Sequence, residues 1–350
     1  MALFLSLTRT GRYLARAGWE ESKILWRRRP IAKLVSDTTV PAATRKKLQL
    51  VLDARVFASS ALGLKVGNSF TTYSPLDHDT LVLVLSAAYR DRLQYFTWWF
   101  PIVGSVPYKG YFDFGDARAE ERTFLGRGFD TYLRPASAFS TLGWFNDPLV
   151  STTLRADTLS LANTVIHELT HNTYYATGQT EFNESFANFV GARGSADFFQ
   201  SRHQPRAVDE TEARWSDEKV LARFWKRLHA DIDSVFKAHP GNAAIPMRLA
   251  LRDSVYRAAR EQLVFRIGPQ LRTIAPRYLE RVRLDNAALL AHRIYLTDID
   301  LFDSIWVREH RNTRATVQRI IESVKTDPKR PYDALRRWLA RPARAKAAAQ

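Results

Sequence analysis

The stretch Thr164-Val165-Ile166-His167-Glu168-Leu169-Thr170-His171 sets two histidines four positions apart inside an apolar, helix-periodic run. Residues i and i+4 leave the same face of a helix, so both imidazoles can meet one ion. Glu168 sits about 100° around from His167, beside such an ion but unable to chelate with the pair. A carboxylate there is placed to hold a water activated by the metal and to take its proton during attack on a carbonyl. Leu159, Leu161, Ala162, Val165, Ile166 and Leu169 surround the motif, which predicts a buried helix. Buried histidines and a buried glutamate need partners, and a metal supplies one.

Thirteen positions after His171 stands Glu184, within Phe182-Asn183-Glu184-Ser185-Phe186-Ala187-Asn188-Phe189. Gly178 is a natural helix stop and Asn183 a natural start, so the two segments are predicted to form an antiparallel helix hairpin. His171 then lies about two turns before the break, and Glu184 opens the returning helix. This predicts one Zn2+ per chain, held by His167, His171 and Glu184, with the fourth position left to water. Glu181 is the competing third ligand. Asn188 shares the face of Glu184 and is a candidate to hydrogen-bond the outer nitrogen of a ligand histidine. It reads equally well as an ordinary polar helix residue.

Working outward, the chain is α+β: helices, then a small mixed sheet, then a predominantly helical body. An N-terminal helical segment is expected over 1–68, with helices near Tyr13–Arg28 and Pro41–Leu62. A sheet-containing subdomain follows over 69–157, with strand-like runs at Leu81–Leu85, Tyr95–Phe100, Phe129–Leu133 and Ala138–Trp144 and a helix over Asp113–Gly128. The helical metal-site and C-terminal subdomain occupies 158–340, and 341–350 is a basic tail. Helices are expected over about Thr158–Thr177, Asn183–Gln200, Asp209–Ala238, Met247–Ile267, Asn286–Leu296 and Thr313–Val324. The whole is expected to act as one catalytic unit.

Composition narrows the function classes. There is no cysteine, which excludes disulfides, Cys-type zinc sites and thiol nucleophiles. With 52 Lys+Arg against 36 Asp+Glu, the net charge of +16 favours anionic surfaces, either nucleic acid or membrane head groups. No zinc finger, Gly-rich phosphate cradle or RNP-like segment accompanies the charge, so nucleic acid is disfavoured and an anionic membrane surface stays open as a partner. No run reaches the ~20 apolar residues of a spanning helix. Met1 to Leu7 is too brief for a signal-peptide core. Either the protein is cytoplasmic or this start lies inside a longer export segment.

Trp99-Phe100-Pro101, Val106-Pro107-Tyr108-Lys109-Gly110-Tyr111-Phe112, the stretch Ser140 to Leu149, the helix His167–His171 and the run Phe182–Ala187 together resemble the bacterial predicted aminopeptidases. These are gluzincin-type proteins that pair HExxH with a downstream Asn-Glu. The opening from Arg12-Tyr13 to Ile31 is also similar, so the resemblance covers at least the first 190 residues. It implies a zincin-like metal-binding helix pair, zinc, a peptide or protein substrate, and a cell-envelope or periplasmic location. Two departures stand out: the chain has no complete signal or anchor cysteine, and the interval from His171 to Glu184 is shorter than in thermolysin-like or large aminopeptidase enzymes. Their substrate pockets therefore do not transfer. In gluzincins an extended segment before the metal helix pairs with substrate backbone, which makes Ser140, Thr141, Leu142 and Gly143 candidates; a buried core strand is the other reading. Glu181 and Asp147 are candidates to hold a substrate ammonium.

An oxyanion forming on the substrate needs a donor besides the metal, and in related gluzincins a later Tyr or His supplies it. Tyr278, His292, Tyr295 and His310 are the candidates. Tyr295 is chosen because it lies near a helix end, before a turn at Asp298; a core tyrosine is the competing reading. A closed structural zinc site would need a fourth protein ligand, and no second histidine cluster offers one.

Overall fold

The computed structural model describes residues 9–77, 80–100, 104–136 and 148–342. It is α+β, with small sheets inserted into a mainly helical chain. The first part holds α1 (Arg9–Trp26), β1 (Arg29–Pro30), α2 (Ile31–Ser36), α3 (Ala42–Ser60) and β2 (Thr72–Ser74). Then come β3 (Val82–Ala88), β4 (Trp98–Phe100), β5 (Gly104–Val106), β6 (Tyr108–Tyr111), α4 (Phe114–Gly126), β7 (Asp130–Ala136) and β8 (Leu149–Val150). The helical body comprises α5 (Ser151–Leu154), α6 (Thr158–Thr173), α7 (Thr180–Ser201), α8 (Pro205–Ala238), α9 (Ile245–Gln262), α10 (Pro276–Glu280), α11 (Asn286–Leu296), α12 (Ile299–Arg308), α13 (Thr313–Lys325) and α14 (Pro331–Leu339).

Among the described residues the strands form three small sheets rather than one. β3 lies between β6 and β7 in an antiparallel sheet, β2 pairs antiparallel with β1 and parallel with β8, and β4 pairs antiparallel with β5. The expected strand Tyr95–Phe100 is shorter: only Trp98–Phe100 pairs, and Tyr95 makes a lone bridge to Ala88. Phe96, Trp98, Phe124 and Phe129 instead turn their rings edge-on to one another beneath the central sheet. The expected strand Ala138–Trp144 lies outside the described residues.

Helix α7 organises the body. Phe182, Phe186, Phe189, Val190, Phe198 and Phe199 are all buried although they lie on different sides of it. A helix apolar all round has to run through a core, and α6, α8, α11, α12 and α13 pack against it. α6 is fixed at its start by Asp157, whose carboxylate accepts from the Leu159 and Ser160 amides at 3.0 Å. That cap satisfies two of the amides a helix N-terminus leaves open.

One buried carboxylate ties three of these helices together. Asp303 of α12 accepts from Arg193 of α7 at 2.7 Å and from Trp215 Nε1 and Lys219 Nζ of α8 at 3.1 and 2.6 Å. Arg193 also makes a two-pronged contact with Glu212 of α8. Burial raises the Asp303 pKa, but Arg193 and Lys219 outweigh it and hold the carboxyl below its ordinary value. Asp303→Ala is expected to lower stability by about 3 kcal/mol, since it strands buried cations; urea unfolding measures this. The carboxylate's pH-dependent contribution is fully present above its unfolded pKa of about 3.9 and is lost as pH falls through the depressed folded value. The gap between wild type and variant should therefore narrow below about pH 4.

Candidate metal centre

Helix α6 delivers His167 and His171 one turn apart, and their Nε2 atoms approach to 3.3 Å. Glu184, in the second turn of α7, brings Oε2 to 3.4 Å from His167 Nε2 and Oε1 to 3.6 Å from His171 Nε2. Two imidazole nitrogens and a carboxylate thus converge on one point, with the side chains of His171 and His167 only 4% and 12% exposed. With metal–ligand bonds of about 2.0–2.1 Å, the edge of a tetrahedral zinc site is roughly 3.4 Å. The donor set and its spacing fit zinc. Glu181 does not join this group: it is exposed, and its carboxylate accepts from Thr297 Oγ1 at 3.4 Å.

Two features of the backbone bring Glu184 to the histidines. The first is a close approach of α7 to α6, made at glycine. A Cβ on Gly194 would stand 2.7 Å from Leu62 and 3.0 Å from Ile166, the residue before His167, and one on Gly191 would stand 3.0 Å from Asn163. The second is the loop between the helices. The predicted stop at Gly178 and start at Asn183 are both displaced. α6 ends at Thr173, where Tyr174 turns extended, so His171 lies two residues from the helix end rather than about two turns. α7 begins at Thr180, and Gly178 adopts its left-handed φ of +76° inside the loop. Asn183, buried in the first turn of α7, closes the loop instead of capping the helix: its amide accepts from Ala176 N and donates to Ala176 O, both at 2.8 Å.

The electrostatics suit a cation. Burial pushes the Glu184 pKa up, but hydrogen bonds from His167 and His171 and their charges outweigh it and hold the carboxyl well below its usual range. Burial alone would lower the His167 pKa; contact with Glu184 and the charges of Glu168, Glu184 and Glu218 raise it. Glu218 was not foreseen. It lies on α8 within electrostatic reach of His167, and burial, opposed by His167, pushes its pKa up to about 7. Its signal was an acidic residue standing on the inward stripe Thr211, Trp215, Ala222 and Trp225 of α8.

Of the proposed oxyanion donors, Tyr295 is the one under the influence of the centre. Burial, reinforced by the nearby Glu184 charge and opposed by Arg134, pushes its phenol up to about 12. His292 stacks on Trp225 at 4.3 Å, Tyr278 is 55% exposed, and His310 sits in a left-handed turn. Asn188 does not reach a histidine. Its amide donates to the Tyr295 carbonyl at 3.1 Å, so it anchors α11 to α7, and His171 Nδ1 is buried without a hydrogen-bond partner among the described residues. Ser140, Thr141, Leu142, Gly143 and Asp147 lie outside the described residues.

A family model described as "Putative aminopeptidase" matches residues 12–335. The chain belongs to that family. No curated protein and no solved structure is matched. The family match takes in the whole converging centre, and it runs on through α8 to α14, beyond the first 190 residues where the resemblance was read. The Putative aminopeptidase segment therefore includes Glu218, Tyr295 and the Asn183 clamp. Asn183→Ala removes two buried hydrogen bonds and leaves the Ala176 amide and carbonyl unmatched. A stability loss of about 2–3 kcal/mol is expected, which thermal unfolding measures; a loss below about 1 kcal/mol would show that the clamp does not hold the loop.

Proposed function

We propose that this chain is a zinc-dependent metallopeptidase of the aminopeptidase family, with one Zn2+ held by His167, His171 and Glu184 in a zincin-like, gluzincin-type helix pair. The observation that carries the reading is the convergence of two Nε2 atoms and one carboxylate at 3.3–3.6 Å on two tightly packed helices. Zinc held there supplies Lewis acidity, lowering the pKa of water towards ~7 and polarising a carbonyl.

Each side chain then has a distinct task. Glu168, following His167 on α6, accepts the proton released as water attacks the peptide carbonyl and returns it to the leaving amine. Its Oε2 is shielded from solvent, which keeps the carboxylate from being levelled by bulk water. Tyr295 donates its hydroxyl hydrogen to the oxygen on which charge develops. Arg134 Nη2 donates to the Tyr295 hydroxyl oxygen at 3.2 Å, which leaves the phenol's own hydrogen for the substrate. Glu218, within electrostatic reach of His167, favours positive charge on the imidazole when it is ionised.

A structural zinc site is the second reading; two histidine substitutions test the ligand set, and two further substitutions separate that reading from catalysis. His167→Ala and His171→Ala should each remove most bound zinc, measured by elemental analysis of purified protein. Glu168→Gln keeps zinc but cannot accept a proton, so turnover of a peptide mixture should fall by ~10²-fold or more. Tyr295→Phe should lower kcat by ~10–10³-fold with zinc content and folding unchanged. Full zinc in both histidine variants sinks the ligand assignment. Near wild-type turnover in Glu168→Gln removes the base.

A further inference from the structure

Arg134 is held in a setting that suits an anion, and none of the described residues provides one. It stands in β7, opposite Val84 of β3, and is half-buried. Its guanidinium lies 5.6 Å from the centre of the Tyr295 ring and donates to that hydroxyl at 3.2 Å. Among the described residues no carboxylate comes within ion-pair distance of it. The buried arginines differ: Arg193 pairs with Glu212 and Asp303, Arg252 with Asp130 and Asp253, and Arg248 with Asp91. A partly desolvated cation left on a phenol alone is costly unless something else meets it.

The position of Arg134 relative to the metal centre follows from a short chain of contacts. Glu184 and Asn188 are one turn apart on one face of α7. Asn188 holds the Tyr295 carbonyl, and the Tyr295 hydroxyl meets Arg134. The phenols of Tyr295 and Tyr108 each feel both Glu184 and Arg134, so both tyrosines lie near the two charged groups. Tyr108, on β6, is 40% exposed, which puts solvent access on this side.

We propose that the Arg134 guanidinium, beside Tyr295 and near Tyr108, forms a carboxylate-binding subsite next to the metal centre, which selects short peptides with a free C-terminal carboxylate. The assignment rests on the peptidase reading above and deepens it by naming the substrate class. A guanidinium fork matches a carboxylate in two parallel hydrogen bonds, and a substrate end fixed there limits the number of residues that fit between it and the scissile carbonyl.

The test reads binding and not turnover. Full-length protein carrying Glu168→Gln, loaded with zinc, is titrated calorimetrically with the tripeptide Ala-Ala-Phe and with the same tripeptide as its C-terminal amide. The free acid should bind at least ~10-fold more tightly than the amide. Adding Arg134→Gln should bring the acid down to the affinity of the amide, and Arg134→Lys, which keeps charge but loses the fork, should fall between. The acid and amide comparison needs no change at Arg134, so it stands even if a substitution there disturbs folding. Equal affinity for the two peptides, binding of neither, or an acid preference that survives Arg134→Gln overturns the subsite. Zinc content and hydrolysis by the wild-type chain judge the peptidase reading separately.

Discussion

Glycine at the crossing of α6 and α7 is the constraint on which the site depends. Two helices bearing ordinary side chains keep their axes about 8–10 Å apart. A Cβ at Gly194 would stand 2.7 Å from a Leu62 methyl and 3.0 Å from Ile166, so those side chains would have to give way. The absence of side chains there lets α7 settle against α6 one residue away from the first histidine. It does so in the middle of a helix where glycine is otherwise unfavourable by roughly 1 kcal/mol relative to alanine. Everything else that touches α7 keeps it from sliding: the aromatic core around it, the Asn183 clamp on the loop, and Asp303 with its cationic partners on the far side.

The same helix separates two electrostatic tasks. On the face towards α12, the cation Arg193 is matched by carboxylates within the chain, so that region is complete as it stands. On the face towards α6 and α11, two histidines and Glu184 gather donor atoms around a point, with Glu168 and Glu218 within electrostatic reach of His167. Arg134 and a collar of tyrosines lie on the neighbouring sheet and on α11. The first arrangement is a structural network, and the second is one that outside groups can complete.

Much of this was legible in the residues. His167 and His171 declare themselves through i, i+4 spacing, and Glu184 through its place at the start of a return helix, because these relations are local in sequence. The long helices follow from their 3.6-residue periodicity, and α11 was read to its ends. Short elements were missed: α2, α12 and α14 are too brief, and too dependent on the core they dock against, to announce themselves. The loop was misread because Gly178 and Asn183 are each natural helix boundaries, and only the fold reveals that Asn183 spends its amide on Ala176. Asn188 was given the wrong neighbour for a similar reason: its face was right, but α11 reaches it first. Arg134 and Glu218 come from elements distant in sequence, and no local pattern ties either to the histidines.

The Asn183 clamp has a consequence for how such a chain can vary. Because the amide grips both polar groups of Ala176, the segment between the two helices is held at a fixed number of residues. One residue inserted between Asn183 and Glu184 would turn Glu184 by about 100° around the helix axis relative to the clamp. The interval therefore works as a gauge whose length cannot drift independently of the site.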